Sequence, residues 1–238
     1  MHQEPQTYIN ELLYKTNGLP IVSILELLAQ WHPGKVTFSS SFSYEDQVIT
    51  DMILSNKIPI KIFTLDTGRL FPETYSVWTA TNDKYSTRIQ AYYPQAEPLQ
   101  DFVETNGPNA FYESVEFRKS CCFIRKVEPL KRALAGNEIW ITGLRAEHSP
   151  ARQDLEVFEY DPGNQVIKFN PILHWTTEEV KNYINTQEVP YNILHDRGFI
   201  SIGCAPCTRA VRPGEDFRAG RWWWEEASKK ECGLHVHS

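Results

Sequence analysis

Five cysteines carry most of the chemistry that this sequence offers, and they fall into two pairs and a single residue. Cys121 and Cys122 are adjacent, whereas Cys204 and Cys207 form a C-x-x-C pair in GCAPCT. Two distant thiol pairs suit a four-coordinate site, which holds either zinc or an iron–sulfur cluster. Cys232 lies alone in KECGLH, and we interpret it as a free, exposed thiol that acts as a nucleophile.

The spacing of the first pair bears on which metal the four thiols hold. Structural zinc ribbons usually use two C-x-x-C knuckles, and adjacent ligands on one helix crowd a single tetrahedral ion. A cube-shaped cluster offers separate iron atoms to adjacent sulfurs, so the pattern favours one [4Fe–4S] cluster over zinc. Lys126 follows the pair by four to five residues. That spacing places it on the same helix face, where its charge would link the cluster to a bound anion.

Positive charge is concentrated around both cysteine pairs, although the chain as a whole carries a net charge of −6. Residues 118–152 contain 8 basic and 3 acidic side chains, and residues 197–221 contain 5 basic and 2 acidic ones. If the pairs meet, their surroundings favour thiolates and attract a small anion. The acidic balance elsewhere argues against a nucleic-acid partner, which needs a more extensive basic footprint.

Four arginines and two polar loops are the candidates for binding that anion. Arg145 and Arg152 follow a strand in TGLRAEHSPAR, and Arg218 and Arg221 lie in FRAGRWWWE; arginine suits bidentate binding of phosphate or sulfate. Residues 39–43 (SSSFS) either cradle an anion with hydroxyls and a helix N-terminus or form a simple helix N-cap. Residues 65–68 (LDTG) either hydrogen-bond a nucleotide's base or ribose or form a tight turn.

Alternating strands and helices must position these residues. Apolar and β-branched runs predict strands over residues 35–41, 58–65, 85–92 and 138–144, and a hairpin with strands near 155–160 and 165–170. Helical spacing predicts helices over residues 20–30, 45–54, 72–81, 118–134 and 176–187. This order predicts an α/β fold with a mostly parallel sheet flanked by helices, and a ligand site at the carboxyl ends of its strands.

Length and composition place these elements in one domain. We assign residues 1–212 to the α/β domain and residues 213–238 to a mobile C-terminal tail that carries Cys232. We expect the three tryptophans at 222–224 to pack against other residues. No apolar run approaches the length of a membrane span, and the first residues lack a secretory signal. Five cysteines without such a signal favour the reducing cytoplasm over a disulfide scaffold.

Seven motifs together indicate a resemblance to a known enzyme family. They are SFSYED, LDTGR-x-x-PET, KSCCFIRKVEPL, TGLRAEHS, GCAPCT, RWWWE and KECGLH, and they extend from about Val36 to His235. The set resembles assimilatory adenylylsulfate (APS) reductases, the iron–sulfur-containing branch of the thioredoxin-dependent APS/PAPS reductase family. The resemblance implies an adenine nucleotide α-hydrolase-like fold with a modified PP-loop. It also implies reduction of APS to sulfite and AMP through an enzyme S-sulfocysteine, in assimilatory sulfate reduction toward cysteine.

The resemblance further implies roles for individual residues. Cys121, Cys122, Cys204 and Cys207 would hold one [4Fe–4S] cluster per chain, and Cys232 would be the catalytic nucleophile. The residues implied in substrate binding are Ser39, Ser41, Ser43, Leu65, Asp66, Thr67, Gly68, Lys126, Gly143, Arg145, Arg218 and Arg221. Thioredoxin or glutaredoxin would supply the electrons, and the family forms homodimers and homotetramers.

Three alternatives remain open. The nearest is a PAPS reductase, or an enzyme that takes both substrates; cluster-free relatives that prefer PAPS lack the two cysteine pairs, so the sequence favours APS. A cluster-dependent sulfurtransferase or tRNA thiolase of the same fold would predict an SGGxDS loop where this chain has SSSFSYED. An iron–sulfur or zinc redox sensor would account for four cysteines but not for Cys232 or the arginine loops.

Overall fold

The computed structural model describes residues 4–148 and 154–225. Two residues singled out from the sequence, Arg152 and Cys232, lie outside the described residues, as does the predicted tail beyond residue 225. The α-helices are α1 (Pro5–Thr16), α2 (Ile21–Trp31), α3 (Tyr44–Ser55), α4 (Pro72–Lys84), α5 (Ala96–Asn106), α6 (Val115–Cys122), α7 (Glu128–Leu134) and α8 (Thr177–Thr186). The strands are β1 (Val36–Ser39), β2 (Lys61–Leu65), β3 (Gln90–Tyr92), β4 (Ile139–Ile141), β5 (Phe158–Asp161) and β6 (Val166–Phe169).

One six-stranded sheet has the order β3-β2-β1-β4-β6-β5. Strand β1 runs parallel to β2 and β4, and β4 runs parallel to β6. Strand β5 pairs with β6 in the antiparallel direction, and the two form a hairpin. In this hairpin Phe158 lies opposite Phe169, and Asp161 lies opposite Val166. The mostly parallel sheet and the predicted hairpin are therefore confirmed.

The chain folds into two compact units, each assembled from segments that are distant in sequence. The first comprises residues 1–63, 77–90 and 134–191, and the second comprises residues 64–76, 91–133 and 192–238, as far as they are described. Both cysteine pairs belong to the second unit. The predicted boundary at residue 212 stays a prediction.

Central strands and helix α3 form the core of the first unit. All three residues of β4 are buried, as expected for a parallel strand that is covered on both faces and therefore reads as a continuous apolar run. Helix α3 buries every residue from Glu45 to Ile53, so its two acidic side chains at the N-terminal end, Glu45 and Asp46, are buried along with the apolar ones. Such carboxylates need hydrogen-bond or ion-pair partners.

Helix α8 begins at the capping signature that the sequence predicts. The Thr176 hydroxyl accepts a hydrogen bond from the Glu179 backbone N–H, and the Glu179 carboxylate accepts one from the Thr176 backbone N–H. This reciprocal capping box satisfies two of the N–H groups that a helix start leaves without intrahelical partners. The helix is confirmed, with Val180 and Ile184 on its buried face.

The prediction of one helix over residues 118–134 is wrong in one respect, because this segment is not a uniform α-helix. Helix α6 ends at Cys122, a π-helical turn spans Phe123–Val127, and α7 follows. Pro129 accounts for the wider turn, since proline has no N–H to donate to the carbonyl of residue 125 and its ring clashes with that carbonyl. The Glu128 N–H bonds instead to the Phe123 carbonyl, five residues earlier.

Other elements differ from the predictions in extent. The strand predicted over residues 85–92 covers only Gln90–Tyr92, because α4 continues to Lys84 and Ser86 has a φ of 50°, which an extended strand excludes. Helices α1 and α5 were not predicted. No helix within residues 4–148 and 154–225 combines the length and the apolar character that crossing a membrane requires.

Candidate metal centre and anion-binding residues

The four cysteines of the two pairs line one pocket in the second unit. Cys121 and Cys122 come from the end of α6, and Cys204 and Cys207 come from the turn that includes Ala205–Cys207. Cys122 and Cys204 are buried, the other two are partly buried, and none of these four forms a disulfide. The fold thus brings together the thiols that the sequence predicts as metal ligands.

The chemistry of this donor set fits an iron–sulfur cluster. Four thiols line one pocket, and a [4Fe–4S] cluster binds each of four thiolates at a different iron atom. Tetrahedral zinc also takes four thiolates and would draw its sulfurs to within about 3.8 Å of one another. Within residues 4–148 and 154–225, no group of three His, Cys, Asp or Glu side chains is placed to hold one metal ion.

Cations line the same pocket. Arg69, Arg118, Arg125 and Lys126 surround it together with the cysteines. Arg125 is buried, and its Nη1 donates a hydrogen bond of 2.6 Å to the Thr67 carbonyl. Its Nε is also buried and has no hydrogen-bond acceptor among the described residues. Buried positive charge of this kind stabilises the negative charge of thiolates.

The pKa values show how strongly this charge acts. Burial raises the pKa of a thiol, and together with the nearby Cys204 sulfur it raises the pKa of Cys207 to about 12. Burial acts on Cys204 as well, but there the Lys126 charge, a hydrogen bond from the Thr67 hydroxyl and the Arg221 charge outweigh it, so the pKa of Cys204 lies below its usual 9.0. Thr67 Oγ1 and Cys204 Sγ are 3.2 Å apart. Among Cys121, Cys204 and Cys207, whose pKa values are all shifted, only Cys204 is shifted toward the thiolate.

The LDTG loop at the end of β2 forms a tight turn beside the cysteines. The Asp66 carboxylate accepts hydrogen bonds of 2.9 Å from the Gly68 N–H and from the Tyr75 hydroxyl. Gly68 has a φ of 70°, which glycine adopts without strain. The Ala205 N–H then bonds to the Arg69 carbonyl at 2.8 Å, which ties this loop to the C-x-x-C turn. The turn is confirmed, and nucleotide binding by Leu65, Asp66, Thr67 and Gly68 stays a prediction.

The two arginines of FRAGRWWWE also lie in the second unit. Arg221 is buried, and its guanidinium lies 4.8 Å from the centre of the Trp222 ring, while that of Arg218 lies 5.8 Å from the same ring. A Cβ on Gly203 would come within 2.4 Å of Arg221 Nη2, so only glycine leaves room for this guanidinium. Trp222 itself is buried, as the packing interpretation expects.

Three cations of the pocket, Arg69, Arg118 and Arg125, were not singled out from the sequence. Arg125 follows Cys121 by four residues, and Lys126 follows Cys122 by the same number. Arg69 comes directly after the LDTG loop. Applying the helical spacing rule to both cysteines would have identified Arg125.

Arg145, which the sequence suggests as an anion binder, is engaged by acceptors of the protein itself. Its guanidinium is buried in the first unit, where Nε donates to Glu45, Nη1 donates to Glu147 and to the Trp175 carbonyl, and Nη2 donates to Thr177. All three nitrogens thus have protein acceptors. Anion binding by Arg145 stays a prediction, and it requires some of these bonds to open.

The serines of the SSSFS loop are likewise engaged within the first unit. The Ser39 hydroxyl accepts a hydrogen bond of 2.9 Å from Trp140 Nε1. The Ser41 N–H and hydroxyl both donate to one oxygen of Asp46, each at 2.6 Å. Ser43 is the N-cap residue of α3 but makes no capping hydrogen bond with its side chain. Substrate binding by the three serines stays a prediction.

Gly143 has a packing role that is independent of any substrate. A Cβ at this position would lie 2.1 Å from Asp46 Oδ1 and 3.2 Å from the Glu45 Cβ. A glycine is therefore required for the backbone after β4 to approach the start of α3 this closely. Contact between Gly143 and substrate stays a prediction.

We predict that Asp46 makes the protein less stable as the pH rises from about 4 to 6. Burial raises its pKa from 3.8 to about 6, so within this window the folded chain keeps a proton that the unfolded chain releases, and the free energy of unfolding falls. Above the window the cost amounts to about 3 kcal/mol. Asp46→Asn retains an acceptor for Ser41 and removes the titration.

Urea denaturation at pH 4 and pH 7 measures this effect. Relative to the Asp46→Asn variant, the wild-type protein should lose about 2 kcal/mol between the two pH values, because the unfolded side chain is already more than half ionised at pH 4. Parallel pH profiles of the two proteins would show that folding does not raise the pKa of Asp46.

Comparisons with known proteins agree with this geometry. The family model of the phosphoadenosine phosphosulfate reductase domain matches residues 35–210. Adenosine 5′-phosphosulfate reductase of Burkholderia cepacia is 52% identical over 90% of this chain and 85% of its own length. The same enzyme of Allochromatium vinosum is 48% identical over 92% and 88%.

Solved structures support the same assignment. A phosphoadenylyl-sulfate reductase of Candida auris, crystallised with phosphate, superposes with a TM-score of 0.74 at 29% identity, over 88% of this chain and 98% of that one. Yeast FAD synthetase, with a TM-score of 0.52 at 17% identity over 88% and 70%, shares only the fold. The predicted adenine nucleotide α-hydrolase-like fold is confirmed, and the chain belongs to the phosphoadenosine phosphosulfate reductase family.

Proposed function

We propose that this chain reduces adenosine 5′-phosphosulfate to sulfite and AMP in assimilatory sulfate reduction toward cysteine. The observation that carries the proposal is the pocket of the second unit, where four thiols meet a set of cationic side chains. Relatives that are about half identical over most of the chain are named adenosine 5′-phosphosulfate reductases. The enzyme is an oxidoreductase that acts on a sulfur group.

The proposed reaction begins at Cys232. Its thiolate attacks the sulfur atom of the substrate's sulfate group, the bond from that sulfur to the bridging oxygen breaks, and AMP leaves with the oxygen. The product on the enzyme is S-sulfocysteine, a covalent intermediate that divides a difficult reduction into two steps. The same thiol must meet first a small substrate and then a protein partner.

The second step restores Cys232. A thiolate of reduced thioredoxin attacks the Cys232 sulfur and expels sulfite, which takes the electron pair of the broken sulfur–sulfur bond. The resulting mixed disulfide is resolved by the second thiol of thioredoxin, which leaves oxidised thioredoxin and a free Cys232. Two electrons thus pass from the dithiol to the sulfur of the substrate. Glutaredoxin is the alternative donor.

We assign Cys121, Cys122, Cys204 and Cys207 as ligands of one [4Fe–4S] cluster per chain. When bound, the cluster would supply a compact charge distribution that orients and polarises the site rather than an electron. Lys126 lines the same pocket and lowers the pKa of Cys204, so its ammonium group acts on the ligand sulfurs. We propose that the same group stabilises negative charge on the sulfate group during transfer.

Arginines complete the proposed anion site. Arg221 carries a buried Nε without an acceptor among the described residues, which leaves a directional donor for a sulfate or phosphate oxygen. Arg218 contributes a second guanidinium near the same ring. Arg145 is assigned to the phosphosulfate as well. The other residues assigned to substrate binding are Ser39, Ser41, Ser43, Leu65, Asp66, Thr67, Gly68 and Gly143.

A second candidate substrate is the 3′-phosphorylated nucleotide, PAPS. The family model and the Candida auris structure are both named for PAPS reduction. We favour APS because relatives that are about half identical to this chain are named for APS reduction.

We also propose that the enzyme is cytoplasmic and forms a homodimer or homotetramer.

We predict that incubation with APS, without thioredoxin, adds one SO₃ group to Cys232. Intact-protein mass spectrometry of anaerobically purified protein should show a gain of about 80 Da, which Cys232→Ser abolishes because serine is too weak a nucleophile for this step. A gain with PAPS as well would identify an enzyme that uses both substrates. Cluster-loaded protein that gains no mass with either nucleotide would contradict the proposal and favour a sulfurtransferase or a redox sensor.

We predict that Lys126→Ala slows formation of this adduct by about 100-fold, because the transferred group loses a preorganised positive charge. Rapid-quench mass spectrometry measures the rate, and visible absorbance reports whether the cluster is retained. The matched control is Lys119→Ala, which removes an exposed lysine from α6. Equal rates for the two variants would remove Lys126 from the mechanism.

A further inference from the structure

We propose that Glu147 holds the place of the substrate's anionic group on Arg145 and thereby sets how tightly the enzyme binds its substrate. The inference rests on the proposed function, in which Arg145 binds the phosphosulfate. Arg145 can bind that anion only when some of its present hydrogen bonds open, and Glu147 is the partner that we expect to leave. Both residues belong to the first unit.

Two carboxylates share the Arg145 guanidinium. Glu45 Oε1 lies 3.0 Å from Arg145 Nη2, and Glu147 Oε2 accepts a hydrogen bond from Arg145 Nη1. One positive charge thus faces two negative ones, and a phosphosulfate group would add more negative charge at the same place. Like charges repel strongly where little water screens them. The substrate therefore needs to replace one carboxylate rather than join both.

Glu147 is the carboxylate that can leave. Its side chain is 52% exposed, whereas that of Glu45 is 11% exposed. An exposed carboxylate regains its hydration when it leaves, but a buried one would remain as an uncompensated charge. The other acceptors of Arg145 are the Trp175 carbonyl and the Thr177 hydroxyl. Both are uncharged, so neither opposes a bound anion as a carboxylate does.

The donors around Glu147 are those that bind an oxyanion. Glu147 Oε2 accepts hydrogen bonds from Arg145 Nη1, from the Thr177 N–H at 2.8 Å and from the Thr177 hydroxyl at 2.9 Å. A guanidinium, a hydroxyl and an N–H at the start of a helix are groups that proteins use to bind phosphate and sulfate. Three such donors converge on one carboxylate oxygen. An oxygen of the substrate would take its position.

Glu147 stays charged through the exchange. Partial burial acts to raise its pKa, but hydrogen bonds from the Arg145 and Thr177 side chains outweigh burial, and the pKa lies below its usual 4.5. Glu147 also lines an open pocket together with Lys181 of α8. The ammonium group of Lys181 offers the released carboxylate a positive charge in that pocket.

Competition of this kind weakens substrate binding in a measurable way. When only a fraction of the molecules is ready to bind, the apparent dissociation constant rises by the inverse of that fraction. If Glu147 occupies Arg145 in about nine molecules of ten, its removal strengthens binding by about 10-fold. A residue that only supports the fold predicts the opposite, since its replacement weakens binding or leaves it unchanged.

The test measures APS binding by isothermal titration calorimetry, with and without the substitution Glu147→Gln. Both proteins are anaerobic and cluster-loaded, and both carry Cys232→Ser so that bound APS stays intact. Glutamine keeps the shape of the side chain and an acceptor for Thr177, but it removes the charge. The dissociation constant of APS should fall by about 3- to 10-fold. That of adenosine, which has no anionic group, should stay within about twofold.

The matched control is Glu178→Gln, which removes the same charge from an exposed residue in the first turn of α8. Glu178 lines the same open pocket as Glu147, so the control reports the effect of net charge alone. It should leave the affinity for APS within about twofold. Glu147→Ala is the second variant, and it should strengthen APS binding as glutamine does. Melting temperature and cluster absorbance report whether each variant is folded.

Unchanged or weaker APS binding by the folded Glu147 variants would overturn the inference. Equal gains for APS and adenosine would also overturn it, because the effect would not lie at the anion. The same holds if Glu178→Gln strengthens APS binding as much as Glu147→Gln does. If the Cys232→Ser protein binds no APS at all, the proposed function fails first, whereas APS binding that does not respond to Glu147 removes this inference alone.

Discussion

The attraction between the cysteine sulfurs and the cations around them, all buried or half-buried, is the interaction on which the rest of this structure depends. Four thiols share one pocket with Arg69, Arg118, Arg125 and Lys126. Thiolates in a low-dielectric pocket are costly unless positive charge or hydrogen bonds compensate them. The compensation is sufficient at Cys204, whose pKa falls despite complete burial. Positive charge of this kind suits the anionic cluster and the anionic substrate that we propose for this pocket.

Local backbone chemistry puts each of these groups in place. The π-helical turn before Pro129 follows Cys122 directly and carries Arg125 and Lys126. Gly68 allows the turn that presents Thr67 to Cys204, and Gly203 leaves room for the Arg221 guanidinium. Glycine and proline thus set the backbone geometry of the site, and this geometry determines where the charged side chains lie.

Sequence reasoning predicted the parts of this arrangement that depend on short-range patterns. The fold class follows from apolar runs such as β4, and the capping box of α8 involves residues only three positions apart. The cysteine pairs were identified by spacing, although their meeting in one pocket is a tertiary event. The engagement of Arg145 could not be predicted, because its partner Glu45 lies 100 residues away. Helix α1 was missed because few of its residues are buried, Ile9 and Leu12 among them.

The central claim is that the pocket of the second unit is the site of one [4Fe–4S] cluster. Iron, zinc and acid-labile sulfide per chain, measured on anaerobically purified protein and on a Cys204→Ser variant, test it most directly. The account predicts about four iron atoms and four sulfides per wild-type chain, with both lost together in the variant. One equivalent of zinc without sulfide would contradict it.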